Sequence, residues 1–237
     1  MGAQACLDVR DGDTGVVRRQ RAAENLRAEG ISERVHVTGN TVVDALKHML
    51  AQEPALPPRL AGFIGEGPLI LATAHRRESW DGGIMRVAGA LRRVLDALPD
   101  HRLIFATHPN PVARQPVEAA FADQPRAMLV QAIEYPAFLR LLSCSQLAVT
   151  DSGGIQEEAP TMGIPVIVTR EVTERPEGVD AGAVRLAGTD EEKIVDSAIE
   201  LLTDEAARRA MTTAGRTLYG DGAAARRIVD VLAAEMR

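Results

Sequence analysis

The densest chemistry in the sequence lies in TDSGGIQEEA, residues 150–159, where an apolar run ends, two glycines follow and a helical pattern begins. Gly153 and Gly154 carry no Cβ, so backbone N–H groups there can approach an anion closely. A helix N-terminus adds partial positive charge, and the combination suits a phosphate or diphosphate. Ser152 supplies a hydroxyl donor. Glu157 and Glu158 follow one turn in, where a carboxylate can accept hydrogen bonds from ribose hydroxyls. The competing reading is a glycine turn whose carboxylates only complement the helix dipole.

Three further segments carry charge at the end of an apolar run. In TAHRRES (73–79), His75, Arg76 and Arg77 can neutralise a diphosphate or shuttle a proton; the alternative is a solvated basic turn capped by Ser79 or Asp81. His108 in THPNPVAR (107–114) follows the same logic, against a turn stiffened by two prolines. Arg175 in TERPEG (173–178) lies in a polar loop, with surface exposure as its default. His36, His48 and His101 have no partners at useful spacing. The sequence has no GxSxG elbow and no GxGxxG fingerprint, which disfavours nucleophilic catalysis and a nicotinamide cofactor. Cys6 and Cys144 lie far apart without metal-ligand spacing, so no zinc is expected; Cys144, inside LLSCSQLAV, reads as a small buried hydrophobe.

These segments need elements to position them. Short apolar runs at 67–75, 101–109, 126–131, 146–154, 164–170 and 183–188 read as strands. Helical spacing marks 82–98, 111–122, 135–145, 155–163, 190–202, 205–214 and 223–237. The alternation predicts an α/β fold, a doubly wound parallel sheet with flanking helices. Ligands in such sheets bind outside the carboxyl ends of the strands, where His75, His108 and Asp151–Gly154 fall. Before the sheet, 17–29 reads as a helix, 35–46 as a strand, a Gly39–Asn40 turn and a helix start, and the Pro- and Gly-rich 52–67 as a linker.

Composition narrows the function classes. At 237 residues, the chain has room for one large domain, or one plus an appendage. With 46% hydrophobic and 25% charged residues it can build a core, which excludes a disordered chain. A net charge of −6 and 3% aromatics argue against nucleic acid as a partner. The first residues form no signal peptide and no apolar run approaches a membrane span, so a cytoplasmic protein without membrane contact is expected.

The motifs VTGNTVVDAL (37–46), TAHRRES, HPNPVAR (108–114), TDSGGIQEEAPTMGIPV (150–166), VTERPEG (172–178), AGTDEEKI (187–194) and YGDGAAARRIV (219–229) resemble the non-hydrolysing UDP-N-acetylglucosamine 2-epimerases, in order and spacing, from about Ala22 onward. Ser79 stands where asparagine usually follows HRRE, and Val172 where threonine is common. The resemblance implies a Rossmann-like sheet that is one half of a GT-B arrangement. It implies interconversion of UDP-N-acetylglucosamine and UDP-N-acetylmannosamine, for polysaccharide precursors, by UDP elimination and re-addition, with no cofactor and no metal. Ser152, Gly153 and Gly154 would then hold the diphosphate and Glu158 the ribose. Phe138 would meet uracil largely through its backbone, and Arg175 would face the nucleotide. His75 would assist catalysis, while Arg76 and His108 match positions that contact a second, activating UDP-N-acetylglucosamine in some members.

The carboxylates that manage the C2 proton in this family belong to an N-terminal domain, and residues 1–21 do not match what precedes Ala22 there. The expectation is a truncated form: 1–59 a residual N-terminal and interdomain segment, 60–237 the UDP-binding domain with C-terminal helices. Alternatives are a non-catalytic UDP-sugar-binding domain and the nucleotide-binding half of a GT-B glycosyltransferase. A homodimer, or an N-terminal half supplied separately, would be the protein partner.

Overall fold

The computed structural model describes residues 15–17, 20–31, 35–65, 67–131 and 133–235. Cys6 and residues 1–14 lie outside them. The chain opens with β1 (Gly15–Val17), α1 (Gln20–Ala28), β2 (Val35–Val37), α2 (Thr41–Leu50) and α3 (Pro58–Ile64). Then come β3 (Leu69–Ala74), α4 (Gly83–Ala97), β4 (Arg102–Thr107), α5 (Pro111–Phe121), β5 (Ala127–Val130), α6 (Tyr135–Ser143) and β6 (Ser145–Thr150). The last elements are α7 (Ile155–Thr161), β7 (Val166–Val168), α8 (Pro176–Asp180), β8 (Val184–Leu186), α9 (Glu191–Thr203), α10 (Glu205–Gly215) and α11 (Ala224–Glu235).

Two compact units divide the chain: Met1–Ala51 with Tyr219–Arg237, and Gln52–Leu218. The second holds a six-stranded sheet, parallel throughout, in the order β5-β4-β3-β6-β7-β8. Counted from β3, that order is 3-2-1-4-5-6, which makes the doubly wound parallel sheet predicted from the strand pattern a Rossmann-like one. Two apolar layers fill the faces. Along β3, Ile70, Ala72 and Ala74 enter one cluster with Val87, Leu91 and Val94 of α4. Leu69 and Leu71 point the other way, to Leu60 of α3, Leu141 and Leu142 of α6 and Ile155 of α7. The period-2 alternation of a strand therefore feeds both layers, so both faces of β3 must be apolar. Each fully buried Leu or Phe in these layers contributes about 1.5–3 kcal/mol.

The structure departs from the sequence reading in several places. The stretch read as a linker contains α3, opened by Pro58 in its first turn and anchored by buried Leu60 and Phe63. Glycine and proline frequency masked a short docked helix. The helix expected from residue 17 begins at Gln20, because Val17 pairs with Val37 in a two-stranded parallel sheet. Pro116 is accommodated inside α5, and Pro160 inside α7. Cys144 is half-buried at the C-terminal cap of α6 rather than in the core.

In the first unit, the motifs at 37–46 and 219–229 meet. Asn40 caps α2, its Oδ1 accepting from the Val42 N–H at 3.1 Å. Asp44 caps α11: its two oxygens accept from the N–H groups of Ala224 at 3.2 Å and Ala225 at 2.9 Å. The Asn40 N–H donates to the Tyr219 carbonyl at 3.2 Å, and Lys47 Nζ donates to the Asp221 carbonyl at 2.6 Å. Arg227 forks onto Asp221 at 2.8 and 2.6 Å, which holds that carboxyl well below the usual range. Gly39 and Gly220, at φ +95° and +124°, lie in the left-handed region that side chains avoid. The expected 60–237 domain placed the C-terminal helices with the main sheet, whereas α11 packs on α2 in this unit.

Helix α10 seats against α7 through Gly215, where an added Cβ would fall 2.6 Å from Pro160 Cβ and 3.0 Å from its backbone. Alanine's helix propensity favours Gly215→Ala by at most about 1 kcal/mol, while forcing rigid atoms apart costs about 1–3 kcal/mol. Gly215→Ala is expected to lower the urea midpoint, with a net loss on the order of 1 kcal/mol and an unchanged m value.

Candidate functional site

Strands β3 and β6 are neighbours in the sheet but first and fourth in its chain order. Their connections leave in opposite directions, so a crevice opens beyond their carboxyl ends. His75 and Arg76 follow β3; Asp151, Ser152, Gly153 and Gly154 follow β6. The strand ends are cross-braced: Thr73 Oγ1 and Thr150 Oγ1 are 2.6 Å apart, and the Ser152 N–H donates to Thr150 Oγ1 at 3.0 Å.

Asp151 has no solvent exposure. Its Oδ2 accepts from the backbone N–H groups of both His75 and Arg76, each at 2.7 Å. Its Oδ1 lies 3.2 Å from His75 Nδ1. The turn after β3 is thus held by a carboxylate from the neighbouring strand, not by Ser79 or Asp81. A single 3-10 turn at Arg77–Ser79 follows, and α4 starts from Gly82 at φ +82° without a side-chain cap.

Glycines 153 and 154 owe nothing to unusual backbone geometry. Gly154 sits at φ −65°, ψ −47° as the cap of α7, with no side chain bonded to that helix end. A Cβ added at Gly153 would first meet Arg76 Nη2 and Glu174 Oε2 at 3.8 Å and Arg175 Nη2 at 3.9 Å. One added at Gly154 would meet Ser152 Oγ at 3.9 Å. The protein by itself would accept side chains at both positions, yet they are bare. Two guanidinium groups, a hydroxyl and a helix N-terminus converge on that open space, with Glu174 beside them.

The paired glutamates of α7 diverge. Glu157 is 2% exposed and its Oε1 takes a short hydrogen bond from Arg175 Nε. Arg175 is therefore not on the surface: its side chain is 11% exposed, and its backbone N–H donates to Thr173 Oγ1 at 3.0 Å. Thr173 Oγ1 in turn donates to Gln156 Oε1 at 2.5 Å, locking the 173–178 loop to α7. Arg170 joins the same loop to the turn after β3, bonding Glu78 at 2.6 Å and Glu174 at 3.4 Å. Arg76 Nη1 lies 3.7 Å from Glu174.

Glu158 is 8% exposed and accepts from the Tyr135 hydroxyl at 2.8 Å. Burial lifts its carboxyl above the usual range, against the lowering effect of that hydrogen bond, and nearby Glu157 adds to the rise. Burial and Glu158 together push the Tyr135 phenol upward. Phe138 packs its ring into the apolar layer under α6. The adjacent Ala137 lines a pocket of about 470 Å³ together with Leu56, Pro57, Leu60, Val130 and Ile133. His108 stands apart: its Nδ1 accepts from the Asn110 N–H at 3.0 Å, and its ring meets Trp80 edge-on at 5.7 Å between centroids.

The structure thus gathers His75, Arg76, Ser152, Gly153, Gly154 and Arg175 at one crevice and puts Glu158 in the same helix, with Tyr135 as its partner. Gln156, Thr173 and Tyr135 carried no role in the sequence reading, and Asp151 was marked only by its place at a strand's carboxyl end. For Asp151 one signal was present: an acidic residue directly after an apolar strand is placed where burial is hard to avoid. Among the described residues, no three His, Cys, Asp or Glu side chains are grouped to hold a metal ion. No described helix is long and apolar enough to cross a membrane.

This geometry defines a Rossmann-like α/β unit, one half of a GT-B arrangement, with a crevice at its topological switch point. The family model for UDP-N-acetylglucosamine 2-epimerase matches residues 12–233, and the chain belongs to that family. A UDP-N-acetylglucosamine 2-epimerase of Bacillus subtilis is 40% identical over 228 residues, 96% of this chain and 58% of that protein. The S. aureus protein MnaA, solved with UDP, superposes with a TM-score of 0.88 at 36% identity, over 95% of this chain and 61% of that one. A Neisseria meningitidis UDP-GlcNAc 2-epimerase bound to UDP-GlcNAc gives 0.81 at 34%, over 90% and 59%. The chain spans about 58% of the length of the Bacillus relative.

The raised Glu158 carboxyl sets a pH signature. A group whose folded pKa lies above its unfolded value of 4.5 favours folding while protonated; that contribution is lost as pH rises through the folded value. Glu158→Gln keeps the acceptor for Tyr135 and cannot ionise. Urea midpoints should be equal for the two proteins below the ordinary carboxylate range. Above it the variant should become the more stable. A constant difference across pH would contradict the assignment.

Proposed function

We propose that this chain is the UDP-binding part of a UDP-N-acetylglucosamine 2-epimerase, and that it interconverts UDP-N-acetylglucosamine and UDP-N-acetylmannosamine when an N-terminal carboxylate domain completes it. The observation that carries this reading is the open space at Gly153, faced by Arg76, Arg175 and the N-terminus of α7 at the switch point. A diphosphate there meets backbone N–H groups of Ser152–Gly154 and positive charge from two sides. Glu158 accepts from the ribose hydroxyls, displacing or sharing the Tyr135 hydroxyl. Uracil lies against the backbone near Phe138. Arg76 and His108 also serve a second, activating UDP-N-acetylglucosamine.

In the reaction, a base of the N-terminal domain removes the proton at C2. The C2–H electron pair becomes the C1=C2 double bond, and UDP leaves with the electron pair of the C1–O bond. UDP then returns to C1 of the 2-acetamidoglucal, and a proton adds to the opposite face of C2. Charge grows on the departing phosphate, so Ser152, the α7 N-terminus and His75 act where stabilisation counts most. The enzyme works in the cytoplasm, as a homodimer or with its N-terminal half supplied separately. A second reading, which the same crevice would serve, is a UDP-sugar-binding domain without turnover.

Calorimetry should detect UDP binding to the folded chain. Gly153→Ala, whose methyl meets nothing closer than 3.8 Å in the protein, should leave the urea midpoint nearly unchanged. It should weaken UDP at least about tenfold, or 1.4 kcal/mol; unaltered affinity would remove Gly153 from the site. Deuterium from solvent should not enter C2 of UDP-N-acetylglucosamine with this chain alone. Incorporation would show that the carboxylates of the other domain are dispensable.

A further inference from the structure

Asp151 does more than brace a turn. Its Oδ2 is fully engaged by two backbone donors, while Oδ1, equally out of solvent, has no hydrogen-bond partner of good geometry. The polar group in reach of Oδ1 is His75 Nδ1 at 3.2 Å. The imidazole is amphibious: its side chain is 42% exposed while the carboxylate is wholly buried. A carboxylate is an acceptor only, so Nδ1 satisfies Oδ1 only by carrying a proton.

We infer that Asp151 is a positioning residue, which fixes His75 as the Nδ1–H tautomer and leaves Nε2 as the ring nitrogen that exchanges protons with the bound ligand. The chemical use of that arrangement rests on the reading proposed above. There, protonated Nε2 donates to the diphosphate oxygen that departs from C1 and recovers its lone pair when UDP returns. The imidazole thereby changes charge at one defined point of the crevice, and its other nitrogen stays tied to the sheet. A ring free to flip would divide its protons between two nitrogens and aim neither. His108 provides an internal contrast: its Nδ1 accepts from the Asn110 N–H, so its neutral form must carry the proton on Nε2.

The test reads tautomers directly. The whole chain is labelled with ¹⁵N-histidine, and long-range ¹H–¹⁵N correlations are recorded near pH 8.5, about two units above the ordinary imidazole value. His75→Gln identifies the His75 signals by their loss. His75 should show a pyrrole-like Nδ1 and a pyridine-like Nε2, and His108 the reverse. Asp151→Asn then discriminates. Its carboxamide oxygen still accepts from the backbone of His75 and Arg76, which turns its NH2 toward Nδ1. Nδ1 must then accept, and the proton moves to Nε2. Reversal of the His75 pattern in Asp151→Asn supports the inference. An Nε2–H or mixed pattern in the unaltered protein overturns it, and so does an unchanged pattern in a folded variant. If Asp151→Asn does not fold, the unaltered protein's spectrum alone decides. UDP titration of the same samples separates the two proposals. No UDP binding with the expected tautomer removes the nucleotide reading and leaves the Asp151–His75 pair in place.

Discussion

A carboxylate cut off from water, at the point where two central strands part, sets the terms for this sheet. An ionised group out of solvent costs several kcal/mol unless its oxygens are occupied. Asp151 meets that demand at Oδ2 with both backbone N–H groups of the residues that turn away from β3, while Oδ1 faces His75 Nδ1 at 3.2 Å. The two strand ends therefore cannot drift apart without exposing an unpaired charge to an apolar surround. The crevice at the switch point is a fixed width, braced again by Thr73 and Thr150 just below it. His75, Arg76 and the α7 N-terminus inherit their places from that brace. Removing the carboxylate would loosen the path of the chain as well as the site.

Much of this was legible in the residues alone. The five or six apolar runs became six strands, because the central strands of a parallel sheet are covered on both faces and are mostly apolar. The glycine pair after VTDS and the basic residues after the 67–75 run fall at the crevice, while His108, after the 101–109 run, stands apart. What escaped were pairings across long stretches of chain. Asp151 and His75 lie 76 residues apart, and no periodicity links them. Glu157 and Glu158 are adjacent and chemically alike, yet one turns inward to Arg175 and the other to Tyr135. That divergence follows from helical rotation of about 100° per residue together with neighbours that only the fold supplies. Arg175 read as exposed because its loop is polar, although a buried acid awaited it. The linker reading of 52–67 failed for a local reason: proline at a first turn starts a helix as readily as it marks a loop.

The site also shows where stability yields to function. Glu158 is ionised only at a cost in its half-dry surroundings, and its sole described partner, Tyr135, is a neutral donor. A glutamine would satisfy the same hydroxyl without that cost. Bare glycines at 153 and 154 likewise forgo contacts the protein has space for. Both choices make sense when a ligand completes the arrangement, since polar and charged groups kept unsatisfied at a site are repaid on binding.

The clasp between the 37–46 and 219–229 motifs makes the terminal unit discontinuous. Its α2 and α11 are separated in sequence by the entire sheet, and the Asp44 cap spans 180 residues or more. During synthesis α2 emerges well before α11, its packing partner. Residues 52–218 are available to fold in the meantime with all six of their own strands. The first unit therefore closes only after the sheet has been made, since α2 takes its Asp44-capped partner from α11. Closing this unit waits on residues made 180 positions after Asp44.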